Sequence, residues 1–186
     1  FSQTMLQNVT DNIIKPTIKA LAEENAPYKG VLYTGLMITE DGPMVLEYNA
    51  RFGDPETQVI LPRLKTDLVD IMLAVIQGRL DSINIQWDDN ACVGVVMASA
   101  GYPEKYKTGY AINGLNDIID KDVYIFHAGT KLDETNQAAV TDGGRVLTVA
   151  ASGGNLAQAR EKVYRNISKI DFTGCHYRKD IAAREV

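Results

Sequence analysis

One stretch concentrates the reactive side chains of this chain: Glu47-Tyr48-Asn49-Ala50-Arg51-Phe52-Gly53-Asp54-Pro55-Glu56. In an extended strand, alternate side chains share a face, so Glu47 and Asn49 point the same way. A carboxylate and an amide oxygen are hard ligands, suited to Mg²⁺ whose remaining positions go to water and phosphate oxygens. Arg51 is the next residue of that face if the strand continues. Its planar fork can hold phosphate or carboxylate oxygens at two points. A divalent cation beside a guanidinium is what phosphoryl transfer requires, because that chemistry rests on positioning and charge neutralisation. Taken alone, such a triplet is usually a solvated polar face. The context raises it: Val45, Leu46 and the preceding segment are apolar, which predicts a buried strand whose polar end needs partners.

The elements that must position these residues follow from hydrophobic periodicity. Residues 31–39 predict a buried strand, 40–43 a turn built on Asp41-Gly42, and 44–49 the return strand. Residues 50–55 form a polar Gly/Pro loop, and 57–61 a short helix or strand. Met5, Leu6, Val9, Ile13, Ile14, Ile18 and Leu21 recur at helical spacing, predicting a helix over 3–24 that Pro16 kinks or splits. Asp67 or Thr66 can cap a second helix over about 67–79, with Leu68, Ile71, Met72, Val75 and Ile76 on one face.

The texture changes after a linker at 83–91. Strands are expected at 92–98, 123–127, 138–141, 145–151 and 175–177, with Gly143-Gly144 as a hairpin turn of positive φ. A helix is expected over about 155–168. The fold class is therefore α+β, divided into 1–82, the linker and 92–186.

Bulk composition narrows the function classes. With 45% apolar and 23% charged residues, the chain can build an ordinary core without disulfides or metal. A net charge of −5 with no dominant basic face argues against nucleic acid and anionic membranes as partners. No apolar run approaches the roughly 20 residues of a membrane span. The two cysteines, Cys92 and Cys175, lack metal-ligand spacing and fit a reducing, cytoplasmic setting.

Longer strings resemble a known family. Gly30-Val-Leu-Tyr-Thr-Gly-Leu-Met37 followed by Leu46-Glu-Tyr-Asn-Ala-Arg-Phe-Gly-Asp-Pro-Glu-Thr-Gln58 resembles the glycinamide ribonucleotide synthetases of the ATP-grasp superfamily. The resemblance continues through Gly101-Tyr-Pro103, His127-Ala-Gly-Thr130, Gly143-Gly-Arg-Val-Leu147 and Tyr177-Arg-Lys-Asp180, and so covers nearly the whole chain. It implies the C-terminal part of an ATP-grasp lobe followed by a small β-rich C-terminal domain. It also implies ligation of glycine to 5-phosphoribosylamine through an acyl phosphate, with ATP split to ADP and phosphate. By this resemblance Glu47 and Asn49 fall on the family's Mg²⁺ or Mn²⁺ ligands. Arg51 falls on the arginine that many ATP-grasp enzymes place near the transferring phosphoryl group. Asp54 and Glu56 lie in the adjoining substrate loop, where a carboxylate can hold an amine. Gly35 stands where many ATP-grasp enzymes carry a further acidic ligand, and glycinamide ribonucleotide synthetases share this glycine.

The family's N-terminal domain and the ATP-grasp lobe with the glycine-rich loop would precede Phe1. The chain is therefore expected to be a fragment, inactive alone. Two alternatives remain beside this reading: another ATP-grasp carboxylate–amine ligase, or a non-catalytic interaction fragment. His127 is expected to be structural, Lys105, Tyr106 and Lys107 to lie in a solvated loop, and Arg178, Lys179 and Asp180 to form a local charge cluster. Arg145 is expected first as part of a turn and only secondarily as an anion contact.

Overall fold

The computed structural model describes residues 2–135 and 137–186. The chain divides into two compact units, residues 1–53 with 66–85, and residues 54–65 with 86–186. The segment 54–65, placed with the first stretch on sequence order, packs in the second unit.

In the first unit, α1 (Gln3–Val9) runs through a π-helical turn at Thr10–Ile14 into α2 (Lys15–Glu23). The Lys15 backbone N–H donates to the Thr10 carbonyl. The wider turn falls just before Pro16, whose ring has no N–H and would press on the carbonyl four residues back. The helix is thus divided into α1 and α2 beside Pro16, with the helical backbone continuing through the expanded turn. Strands β1 (Tyr33–Thr39) and β2 (Gly42–Asn49) form an antiparallel hairpin closed at Glu40-Asp41. A bulge lies between Gly35 and Leu36, so that Gly35 faces Glu47 while Leu36 faces Val45.

The hairpin is not buried as its composition predicted. Met37, Ile38, Met44, Val45 and Tyr48 are exposed, and Leu46 keeps 64% of its surface accessible. Among the described residues of this unit, no second layer covers the apolar run on that surface. α3 (Thr57–Ile60) belongs to the second unit; α4 (Leu68–Gln77) belongs to the first. Asp67 caps α4 by accepting from the Val69 N–H at 2.7 Å, and Gly78 ends it in the left-handed conformation. Ala74 is buried, while Met72 and Ile76, expected on the inner face, are exposed.

In the second unit, β3 (Ala91–Ala98), β4 (Val123–His127) and β7 (Arg145–Gly153) form an antiparallel sheet in the order β3-β7-β4. Val93, Val95 and Met97 lie opposite Ala151, Val149 and Leu147, so they share one face. α5 (Leu156–Ile167) covers that face with Ala159, Val163 and Ile167, all fully buried. Asn155 caps α5 through its side-chain oxygen, which accepts from the Gln158 N–H at 2.9 Å. On the opposite face, Gly94 leaves room for Val59 of α3: an added Cβ there would stand 2.8 Å from a Val59 methyl. That contact is one of several that join the segment 54–65 to this unit, beside the Leu64–Trp87 bridge and the Lys65 N–H donating to the Gln86 carbonyl.

A short pair, β5 (Thr130–Leu132) and β6 (Ala139–Thr141), completes the strands. Gly143-Gly144 is therefore not a hairpin turn. It carries the chain from β6 in one sheet to β7 in another, and neither glycine has positive φ. Both are needed for close approach: a Cβ at Gly144 would stand 2.2 Å from Tyr102, and one at Gly143 would stand 2.9 Å from the Cα of Gly129. Residues 175–177, expected as a strand, contribute a single bridge between Ala98 and His176.

Candidate functional site

Glu47 and Asn49 lie together on one face of β2. The Asn49 side-chain amide donates to Glu47 Oε1 at 3.1 Å. Tyr48, between them, points the other way, and its hydroxyl meets Thr17 of α2 at 2.8 Å. Strand alternation therefore gives one face to the helix and leaves the other to the carboxylate and amide. The register sets Gly35 directly across from Glu47, and a Cβ at Gly35 would stand 3.1 Å from Glu47 Cγ. The glycine leaves the Glu47 side chain its space.

This pair fits a hard divalent cation. Both side chains converge, and among the described residues no ion pair engages the Glu47 carboxylate. The amide oxygen and nitrogen of Asn49 exchange places by rotation, so its oxygen can join the carboxylate in ligation. Among the described residues no group of three or more His, Cys, Asp and Glu forms a metal cluster. Two protein ligands with the rest from water and phosphate is the regime of Mg²⁺ rather than that of a closed structural site.

The strand stops at Asn49, so Arg51 does not continue its face. Arg51 lies in the following bend, is exposed, and donates from Nη1 to the Phe52 carbonyl at 2.8 Å. Glu47, Asn49 and Arg51 belong to the first unit; Asp54 and Glu56 belong to the second.

Asp54 is held from two directions. Arg145, at the start of β7, donates from Nη2 to Asp54 Oδ2 at 2.7 Å and from Nη1 to the Asp54 carbonyl at 2.8 Å. Gln58 donates to Asp54 Oδ1 at 3.0 Å. Glu56 is half-buried at the N-terminus of α3. Sequence reasoning gave Arg145 only a minor role as an anion contact, since its partner is 91 residues away. The one available signal was Arg145 itself, a cation following two glycines.

Residues 92–184 match the family described as Phosphoribosylglycinamide synthetase, C domain, and residues 1–57 match its ATP-grasp (A) domain. Phosphoribosylamine–glycine ligase of Caldanaerobacter subterraneus subsp. tengcongensis is 49% identical over 178 residues, covering 96% of this chain and 42% of the relative. The chain belongs to the phosphoribosylglycinamide synthetase family. The ligase of Halalkalibacterium halodurans is 46% identical over the full 186 residues, again covering 42% of that relative. The crystal structure of phosphoribosylamine–glycine ligase from Thermotoga maritima superposes with a TM-score of 0.82 at 32% identity, over 98% of this chain and 44% of that one. A biotin carboxylase domain of Hydrogenobacter thermophilus 2-oxoglutarate carboxylase, at 12% identity and a TM-score of 0.53, shares the fold over 84% of this chain and 34% of that one. The chain thus spans less than half the length of these ligases.

In this family member, the remaining candidates resolve into local contacts. His127 Nδ1 meets the Thr130 hydroxyl at 2.9 Å. Arg178 pairs in two-point fashion with Asp180 at 2.7 and 3.0 Å, the local cluster expected. Lys105, Tyr106 and Lys107 are exposed beside a pocket that also touches Tyr110 and Thr173. Burial, aided by the charge of Asp171, pushes the Cys175 thiol up to about 11, and burial also raises Cys92. Neither thiol is a poised nucleophile. Among the described residues no helix is long and apolar enough to cross a membrane.

Proposed function

We propose that this chain supplies the metal strand and C-terminal unit of an ATP-dependent carbon–nitrogen ligase joining glycine to 5-phosphoribosylamine. The products are glycinamide ribonucleotide, ADP and phosphate, formed through a glycyl phosphate in de novo purine biosynthesis. One observation carries this reading: Glu47 and Asn49 converge on one strand face opposite Gly35, in a chain of this family.

Glu47 and Asn49 would hold Mg²⁺ or Mn²⁺, which when bound neutralises charge on the phosphates of ATP. Arg51 would hold oxygens of the transferring phosphoryl group, since its fork keeps donors beyond the one given to Phe52. Asp54 and Glu56 would set the loop that receives the amine. The adenine-binding strands would come from the part of the ligase these residues do not span. The 186-residue chain alone is then expected to release no glycine-dependent ADP.

In the full-length ligase, Glu47→Gln removes a charged ligand while keeping shape. ADP release dependent on glycine and 5-phosphoribosylamine should fall by roughly 100-fold or more, with a raised requirement for Mg²⁺. Turnover and metal dependence close to those of the unaltered enzyme would remove Glu47 from the metal site.

A further inference from the structure

We propose that Arg145 is a positioning residue for the ligase reaction, acting through Asp54 to fix the loop that follows the metal strand. The inference rests on reading that loop as substrate-binding. One guanidinium spans both the carbonyl and the carboxylate of the same residue, at 2.8 and 2.7 Å. A carboxylate contact alone leaves the Asp54 side chain free to carry its partner through a rotamer change. Holding the main-chain oxygen as well fixes the peptide, so the position and the direction of the loop are set together. Gln58 engages the second carboxylate oxygen from the other side, at 3.0 Å.

The foundation for this hold is rigid. Arg145 opens β7, its carbonyl accepts from the Gly129 N–H at 2.9 Å, and the next two residues, Val146 and Leu147, are fully buried. Arg145 thereby ties Asp54 to the packed centre of the second unit. Stability is a poor account of the contact. The two side chains are 38% and 44% exposed, and exposed ion pairs contribute little to folding. Geometry is a better account, because Arg offers two parallel donors where Lys offers a single point charge. Arg145 also lines a pocket with Pro55, Tyr102 and His176, so the residue that follows Asp54 forms part of that pocket's wall.

The test uses the full-length ligase and three variants: Arg145→Ala, Arg145→Lys and Asp54→Asn. Arg145→Ala is expected to raise KM for 5-phosphoribosylamine or glycine about 10- to 100-fold while KM for ATP stays within about twofold. Arg145→Lys should fall between the two, and Arg145→Ala with Asp54→Asn together should lose little more than the worse single variant. If Arg145→Ala does not fold, Arg145→Lys carries the test: a KM shift confined to one non-nucleotide substrate supports the proposal. Unchanged KM values in a folded variant, or losses that merely track Tm and move all three KM values alike, overturn it. Failure here is separable from failure of the metal-strand reading. Glu47→Gln inactive beside an unaffected Arg145→Ala rejects only the role of Arg145. An active Glu47→Gln rejects the metal site itself.

Discussion

The two units solve the burial problem to different degrees. The second unit closes a three-stranded sheet against α5, and its core runs from Val93 through Met97, Leu147 and Val149 to Phe172, with Phe172 only 2% exposed. The first unit has a two-stranded hairpin and leaves Leu46 at 64% and Ile76 at 70% exposed. A hairpin of two strands is marginal in water unless another layer covers it. Glu47, Asn49 and Arg51 thus stand on the less consolidated unit, while Asp54 and Glu56 belong to the more consolidated one.

The largest effect that could break this comparison is a pair of truncations. Phe172→Ala should destabilise the second unit by about 3–5 kcal/mol, the cost of an aromatic cavity. Leu46→Ala should change stability of this chain by no more than about 0.5 kcal/mol, because the side chain is already in water. Denaturant unfolding of the two variants measures both; equal losses would mean the hairpin is buried in solution. A second pair sharpens the contrast at glycines. Gly144→Ala drives a methyl into Tyr102 and should cost about 1–3 kcal/mol. Gly35→Ala should cost the fold less than about 1 kcal/mol, since its nearest neighbour is the Cγ of one exposed side chain, Glu47, which can turn aside. It should nonetheless displace Glu47 and weaken metal-dependent turnover in the full-length enzyme. Intact turnover there would show that Glu47 tolerates crowding.

The smallest effect is chemical. Both cysteines lie in the second unit, so thiol labelling reports on that unit alone. The raised Cys175 value means that its neutral form is favoured by the fold. Its contribution to stability is full below the ordinary value of 9.0 and is lost as pH rises through about 11. Alkylation of the folded chain at pH 8 should therefore reach Cys175 slowly, at about a thousandth of its molecules ionised at any moment. Fast labelling at that pH would show that the second unit opens around Cys175 more readily than its buried core implies.

Much of this was legible in the sequence because it is local. The Asp41-Gly42 signal and the flanking apolar runs specified the β1–β2 hairpin, and alternation put Glu47 and Asn49 on one face. The pairing of Gly35 with Glu47 was not legible in this way: it follows from the bulge between Gly35 and Leu36, which shifts the register by one residue. The capped helix α5 and strands β3, β4 and β7 were likewise readable from periodicity and turn residues. Where the reading failed, it failed at partners. Apolar alternation says which face wants burial, not whether a second layer is present, so β1 and β2 were expected inside and stand partly outside. Gly143-Gly144 looked like turn glycines, but their reason is the approach of Tyr102 and Gly129, which are distant in sequence.

What the sequence alone determined, then, is the set of local conformations and the identities of the chemical groups each presents. Tertiary structure decided which of them meet. It paired Arg145 with Asp54 across 91 residues, drew the segment 54–65 to the sheet of the second unit, and set the strand order β3-β7-β4. The physical reason is range: backbone sterics and side-chain periodicity act over a few residues, whereas charge pairing and burial depend on where the folded chain returns.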